Sequence, residues 1–278
     1  MIRRILNRLR GTIAGGAASP SFELVPRGDG LDLNYRVSYH AMAQHAPVYR
    51  SLALPAKFYE KRRHIFDSPT RITTHDPLSL LLFTRLLDEI DKPVVVVAEF
   101  GVWRGSFLEN LAIHAHDTGK KLIIYGFDTF DQFPETFTAE DVRSRSPEEL
   151  ITSIATISPF SKTAIEARLR AYPSVQELHL IAGDITKLEP IPLQPDIAHY
   201  DMDFHSTFFS AMRWIEHLDR VKLVVDDYYQ PTWVGMVDAV NTVCEQHHLY
   251  PVNLSDYFRI ERSDRTRFIV TLLPLQRQ

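Results

Sequence analysis

Residues Val94–Phe107 read V-V-V-V-A-E-F-G-V-W-R-G-S-F, and this stretch restricts the fold more than any other in the chain. An uninterrupted β-branched run suits a strand buried on both faces, the condition of a parallel sheet covered by helices. The run ends at Glu99, passes through a turn carrying Gly101 and Gly105, and continues into an apolar segment that looks helical. Strand, glycine turn and helix open a doubly wound α/β unit, in which ligands lie beyond the carboxyl ends of the strands. The two glycines are expected to allow close backbone approach to a ligand, and Ser106 to open the helix. The spacing is G-x-x-x-G and not G-x-G-x-x-G, which argues against a nicotinamide dinucleotide.

From Val94 onward, strand and helix patterns alternate. Strands are expected at 94–100, 122–127, 178–182, 196–201 and 221–226, with helices at 77–90, 106–118, 148–171, 207–219 and 232–248. Near the end, Tyr257–Ile260 and Arg267–Leu272 flank the polar turn Ser263-Asp264-Arg265, a hairpin signal. The expected fold is α/β: a doubly wound, Rossmann-like, mostly parallel sheet with an antiparallel C-terminal hairpin strand and a helical N-terminal cap. Residues 1–21 read as a basic arm and linker, 22–75 as the cap or lid, and 76–278 as the main domain.

Bulk properties remove several function classes. The net charge of −4 gives no support to a nucleic-acid binder. A single cysteine, Cys244, excludes an intrachain disulfide and a cysteine-rich zinc site, and suits a reducing, cytoplasmic setting. No run approaches the ~18 apolar residues of a membrane-spanning helix. The first 13 residues stand apart: Ile2, Ile5, Leu6, Leu9 and Ile13 share one helical face, ringed by Arg3, Arg4, Arg8 and Arg10. Such an arm suits peripheral contact with an anionic membrane, a partner contact or an organellar presequence.

Acids stand at every strand end where a ligand would be met. Glu99 ends the first strand and Asp128 the second, where ribose hydroxyls are usually accepted; Asp184 follows the third, placed for an adenine amino group. The fourth ends in H-Y-D-M-D-F-H, giving Asp201, Asp203 and His205, and the fifth gives Asp226 and Asp227. Four aspartates at the ends of neighbouring strands repel one another unless they share a cation. Oxygen-only donors point to Mg²⁺ or another hard ion.

Glu99–Ser106, Phe127–Pro134 (F-D-T-F-D-Q-F-P), the D-x-D at Asp201 and the D-D-Y at Asp226–Tyr228 occur in an order that resembles the macrocin O-methyltransferase (TylF-type) family. The resemblance covers roughly residues 75–250. It implies a class I S-adenosylmethionine-dependent, Mg²⁺-requiring O-methyltransferase acting on a hydroxyl of a sugar or glycosylated metabolite. It further implies that Glu99 and the Gly101–Ser106 turn, Val102 included, hold the methionine part of the cofactor. Asp128 with Thr129 would take the ribose, Asp184 with Ile185 the adenine, and Asp201 would adjoin the cofactor. The metal would fall to Asp201, Asp226 and Asp227, and the general base would be Asp203. The family usually has a glycine where Ser106 stands and a tyrosine where Phe204 and His205 stand, so His205 is the second candidate for the base. A small-molecule or glycan acceptor and a homo-oligomer are expected on the same grounds. Competing readings are a catechol-type phenol as acceptor, a nicotinamide dehydrogenase, and a non-catalytic scaffold docked at a membrane.

Overall fold

The computed structural model describes residues 23–27 and 30–34 (backbone only), 56–66, 75–130, 138, 139, 141, 161–228, 234–260 and 268–275. The expected basic arm and residues 148–160 of one expected helix lie outside them. By its contacts the chain divides into two units, Met1–Ser51 and Leu52–Gln278.

The first unit contains an antiparallel hairpin, β1 (Glu23–Arg27) and β2 (Gly30–Asn34), with Glu23 opposite Asn34 and Arg27 opposite Gly30. A helical cap was expected here. The sequence favours the hairpin through the apolar alternation of Leu31 and Leu33 and the R-G-D-G turn chemistry. Helices do occur further on, at α1 (Ala56–Lys61) and α2 (Arg63–Phe66), but they belong to the second unit. Phe58 and Ile65 are buried there in the same cluster as Leu80 and Leu111.

The second unit is built on a seven-stranded sheet of order β5-β4-β3-β6-β7-β9-β8. β3 (Val94–Phe100), β4 (Lys121–Asp128), β5 (Val175–Ala182), β6 (Ile197–Tyr200) and β7 (Lys222–Val225) run parallel. β8 (Leu249–Asn253) and β9 (Val270–Pro274) are antiparallel to each other, and β9 is antiparallel to β7. The antiparallel partner of β9 is thus 249–253, and the expected strand at 257–260 does not form. Asn253 explains the shift: its side chain accepts from the Ser255 amide at 3.0 Å and caps a short helix, α8 (Leu254–Tyr257). Pro251 is tolerated in β8 because that strand lies at the sheet edge.

Strand parity decides what each face carries. Val95, Val97, Leu122, Ile124 and Ile197 enter one cluster with α3 (Pro77–Asp88), α4 (Ser106–Thr118) and α5 (Lys162–Arg170). Ala98, Phe100, Ala198, Tyr200, Leu223 and Val225 enter the opposite cluster with α6 (His205–Met212) and α7 (Val234–His247). At ~1.5–3 kcal/mol for each large apolar side chain buried, this double layer dominates the folding free energy. The sheet order reverses between β3 and β6, so the crevice between their carboxyl ends is the topological switch point where doubly wound folds bind ligands. No helix among the described residues is long and apolar enough to cross a membrane.

Candidate functional site

The turn after β3 is fixed by packing within the chain. Gly101 has φ +93°, and a Cβ there would sit 2.1 Å from the Asp201 carbonyl oxygen. Gly105 has φ +74°, and its Cβ would meet Ile165 Cγ2 at 3.0 Å. The glycines therefore let chain approach chain, β3 against the end of β6 and the turn against α5, and the expected approach to a ligand is not what forces them. Gly105 is also the N-cap of α4, with Ser106 as its first helical residue, so the cap lies one position before the serine expected to open the helix. No side chain caps α4, which leaves its first amides as donors facing the strand ends. Arg168, on α5, donates to the Arg104 carbonyl and pairs with Glu109 at 2.8 Å, tying the turn to two helices.

On the β4 side the acids are already engaged by backbone. Asp128 accepts from the Trp103 amide at 2.7 Å and from the Phe130 amide at 2.8 Å. Burial raises its pKa, while those amides and those of Thr129 and Val102 pull it back down. The carboxylate is thus oriented at the tip of β4, with lone pairs to spare for a hydroxyl pair. Asp184 accepts from the Thr186 amide at 3.0 Å and the Thr186 hydroxyl at 2.7 Å, and pairs with Lys187 at 3.3 Å. Burial works upward on its pKa but is outweighed by those donors, leaving it below the usual value. Ile185 is buried in the cluster that contains Phe127.

On the β6–β7 side the acids face one another. Asp201 continues β6 with its amide on the Phe100 carbonyl at 2.8 Å, and Asp226 continues β7 with its amide on the Tyr200 carbonyl at 2.9 Å. Donor oxygens of Asp201, Asp203 and Asp227 lie within 4.8 Å of one another. Asp203 and Asp227 both adopt positive φ, +64° and +57°, a strain of order 1–3 kcal/mol each that the surrounding structure must sustain. At Asp203 a three-residue turn closes through the Phe204 amide to the Met202 carbonyl at 2.8 Å. Tyr200 braces that turn by donating to the Phe204 carbonyl at 2.8 Å. Burial, then the hydrogen-bonded Asp227, then Asp201 and Asp226 hold the Asp203 carboxyl well above its usual range.

His205 occupies the first position of α6, half-buried and edge-on to Phe209 at 5.0 Å, outside both donor groups of the acidic centre. The adjacent Ser206 is held by Asp141, its amide at 3.0 Å and its hydroxyl at 2.8 Å from the carboxylate oxygens. Asp141 also accepts from the Thr138 amide and hydroxyl, both at 2.9 Å, which joins the segment after β4 to the start of α6.

Behind the aspartates lies a polar layer of which the sequence points only to Glu99. Glu99 and His199 are register partners on β3 and β6, pointing to the face covered by α3 and α4. The His199 Nδ1 lies 3.2 Å from Glu99 Oε1, and both side chains are fully enclosed. Burial, followed by the nearby Asp201 and Asp128, pushes the Glu99 pKa well up. Burial and then His75 push that of His199 well down. His75, just before α3, places Nδ1 3.4 Å from Asp226 and Nε2 3.7 Å from Asp201. His199 could have been found from parity, since it stands two residues before Asp201. His75 carries no local signal.

No protein-family model matches this chain, and no curated protein matches it. Among solved structures it is similar to the O-methyltransferase NovP, at 16% identity and a TM-score of 0.52, covering 84% of this chain and 95% of that one. It is also similar to CalS11, a calicheamicin methyltransferase, at 18% identity and a TM-score of 0.50, covering 90% of this chain and 99% of that one. The chain has the fold of these methyltransferases.

Proposed function

We propose that the protein is an S-adenosylmethionine-dependent O-methyltransferase, assisted by Mg²⁺, that methylates a hydroxyl of a sugar or glycosylated small molecule. The observation that carries this reading is the crevice at the switch point, with the turn at Gly101–Gly105 on one bank and Asp201, Asp203 and Asp227 within 4.8 Å on the other. The donor chemistry fits both groups. The uncapped amides of α4 suit the cofactor carboxylate, and the Glu99 Oε2, enclosed with no hydrogen-bond partner among the described residues, suits its ammonium. Asp128 and Thr129 would serve the ribose, and Asp184 with Ile185 the adenine. Asp201, Asp226 and Asp227 would hold the metal, which would supply positive charge to lower the pKa of the acceptor hydroxyl.

The chain's own part in the reaction is to orient and to take a proton. An alcohol attacks the sulfonium methyl carbon in line, the carbon–sulfur bond breaks, and S-adenosylhomocysteine leaves with the electron pair. Asp203 is the base, because it lies within the acidic centre while His205 lies outside it. Asp203 takes the hydroxyl proton only in its ionised form, which burial and the neighbouring Asp227, Asp201 and Asp226 disfavour and which a cation on those aspartates would favour. Vicinal oxygens, as in a sugar diol, would suit a metal that those three carboxylates leave partly open to substrate. The test is transfer of labelled methyl from S-adenosylmethionine to a panel of nucleotide sugars and catechols, with Mg²⁺ or with chelator. Transfer to a sugar that needs Mg²⁺ supports the reading, and transfer to catechols alone replaces the acceptor class. A protein that binds S-adenosylhomocysteine but transfers to neither panel overturns the acceptor assignment.

A further inference from the structure

We infer that the acidic centre has a second, nitrogen-bearing face, at which His75, His199, Asp201 and Asp226 bind a first-row transition ion. The four residues come from three places in the fold: the entry to α3, the end of β6 and the end of β7. One donor atom from each lies within 4.8 Å of those of the others. His75, His199 and Asp226 are all at least nine-tenths buried, at 5%, 0% and 1% exposure. The two imidazole rings are 5.5 Å apart, and His199 is stacked on Phe107 at 4.3 Å, which fixes its plane.

His199 supplies the independent indication of a ligand. Its Nδ1 faces Glu99 at 3.2 Å, while its Nε2 is enclosed with no hydrogen-bond partner among the described residues. A buried imidazole nitrogen without a partner is costly in a folded protein. The same arrangement is the one that metal-binding histidines show, one nitrogen on the ion and the other oriented by a carboxylate. Imidazole nitrogens favour transition ions such as Fe²⁺, Ni²⁺ or Zn²⁺ over Mg²⁺, whose preference is for oxygen, and Mn²⁺ serves as the paramagnetic probe of the same donors. Besides the donor group of Asp201, Asp203 and Asp227 the centre thus offers a mixed set at His75, His199, Asp201 and Asp226, which shares Asp201 and Asp226 with the metal ligands of the proposed function. The inference shares aspartates with the proposed function but does not depend on methyl transfer.

Pulsed electron paramagnetic resonance of the whole protein loaded with Mn²⁺, grown with ¹⁵N-histidine, tests it without any substitution. The expected result is hyperfine coupling to two directly bonded ¹⁵N nuclei, falling to one in His75→Gln, with Mn²⁺ affinity reduced at least about tenfold in His199→Gln. A manganese signal without ¹⁵N coupling in the wild-type protein means an all-oxygen shell and overturns the inference, whether or not the variants fold. Coupling with no binding of S-adenosylhomocysteine would keep this inference and remove the methyltransferase reading. Binding of S-adenosylhomocysteine without coupling would do the reverse.

Discussion

The two banks of the switch-point crevice are built from the same residue type under opposite conditions. On the β4–β5 bank each aspartate is answered by backbone: Asp128 by the Trp103 and Phe130 amides, Asp184 by Thr186. On the β6–β7 bank Asp203 is answered by another acid, Asp227, and both stand on strained backbone. The first bank is complete without a ligand and serves as a mould. In the second, Asp203 and Asp227 meet on strained backbone, and such strain persists where function requires it. Carboxylates that look alike as letters in the sequence are thus separated by their donors.

The largest effect is expected where the banks meet. Gly101→Ala forces a Cβ to within 2.1 Å of the Asp201 carbonyl at a φ of +93°. A loss of about 2–5 kcal/mol in chemical denaturation is expected, with cofactor binding abolished. A stable Gly101→Ala that still binds S-adenosylhomocysteine would separate the two banks. Next in size, Asp203→Asn should lower turnover by ~10²–10⁴-fold while changing affinity for S-adenosylhomocysteine less than about threefold. If turnover survives there and falls in His205→Gln, the base is His205 and the acidic bank serves the metal alone.

Stability should move in opposite directions on the two banks. In metal-free protein Asp227→Asn relieves a like-charge contact and should stabilise by about 1–2 kcal/mol. Asp128→Asn weakens two charge-assisted bonds from backbone and should cost about 1–3 kcal/mol. Denaturant titrations of both variants decide this, and a shift of the same sign in each would break the distinction between mould and strained cluster. The smallest effect concerns Cys244, which lies away from both banks: burial, and then Glu245, push its thiol up to about 12. At pH 8, well below that value, it should react with a thiol reagent only after unfolding, and prompt labelling of native protein would contradict its burial.

The sheet was legible in the sequence because its parallel strands are short apolar runs closed by acids or glycines, so β3, β4 and β7 lie within one residue of expectation at each end. The acids at the strand ends were legible for the same reason. What was hidden depends on tertiary contact. His75 reaches the site only because α3 packs over the ends of β3 and β6, and Asp141 only because the segment after β4 comes back to Ser206. The hairpin strand lies elsewhere because Tyr257–Ile260 has the alternation of a strand, while the Asn253 cap that turns the chain helical acts four residues upstream of Tyr257. At β1 and β2 the turn chemistry is local, but it sits in a segment whose overall pattern is mixed.

One titration tests the central claim, that the mould on the first bank is a site for S-adenosylmethionine. Calorimetry of the whole protein with S-adenosylhomocysteine, with Mg²⁺ present, should show one site per chain with micromolar or tighter affinity. Absence of any heat of binding from properly folded protein would contradict the account and leave the fold as a scaffold without this cofactor.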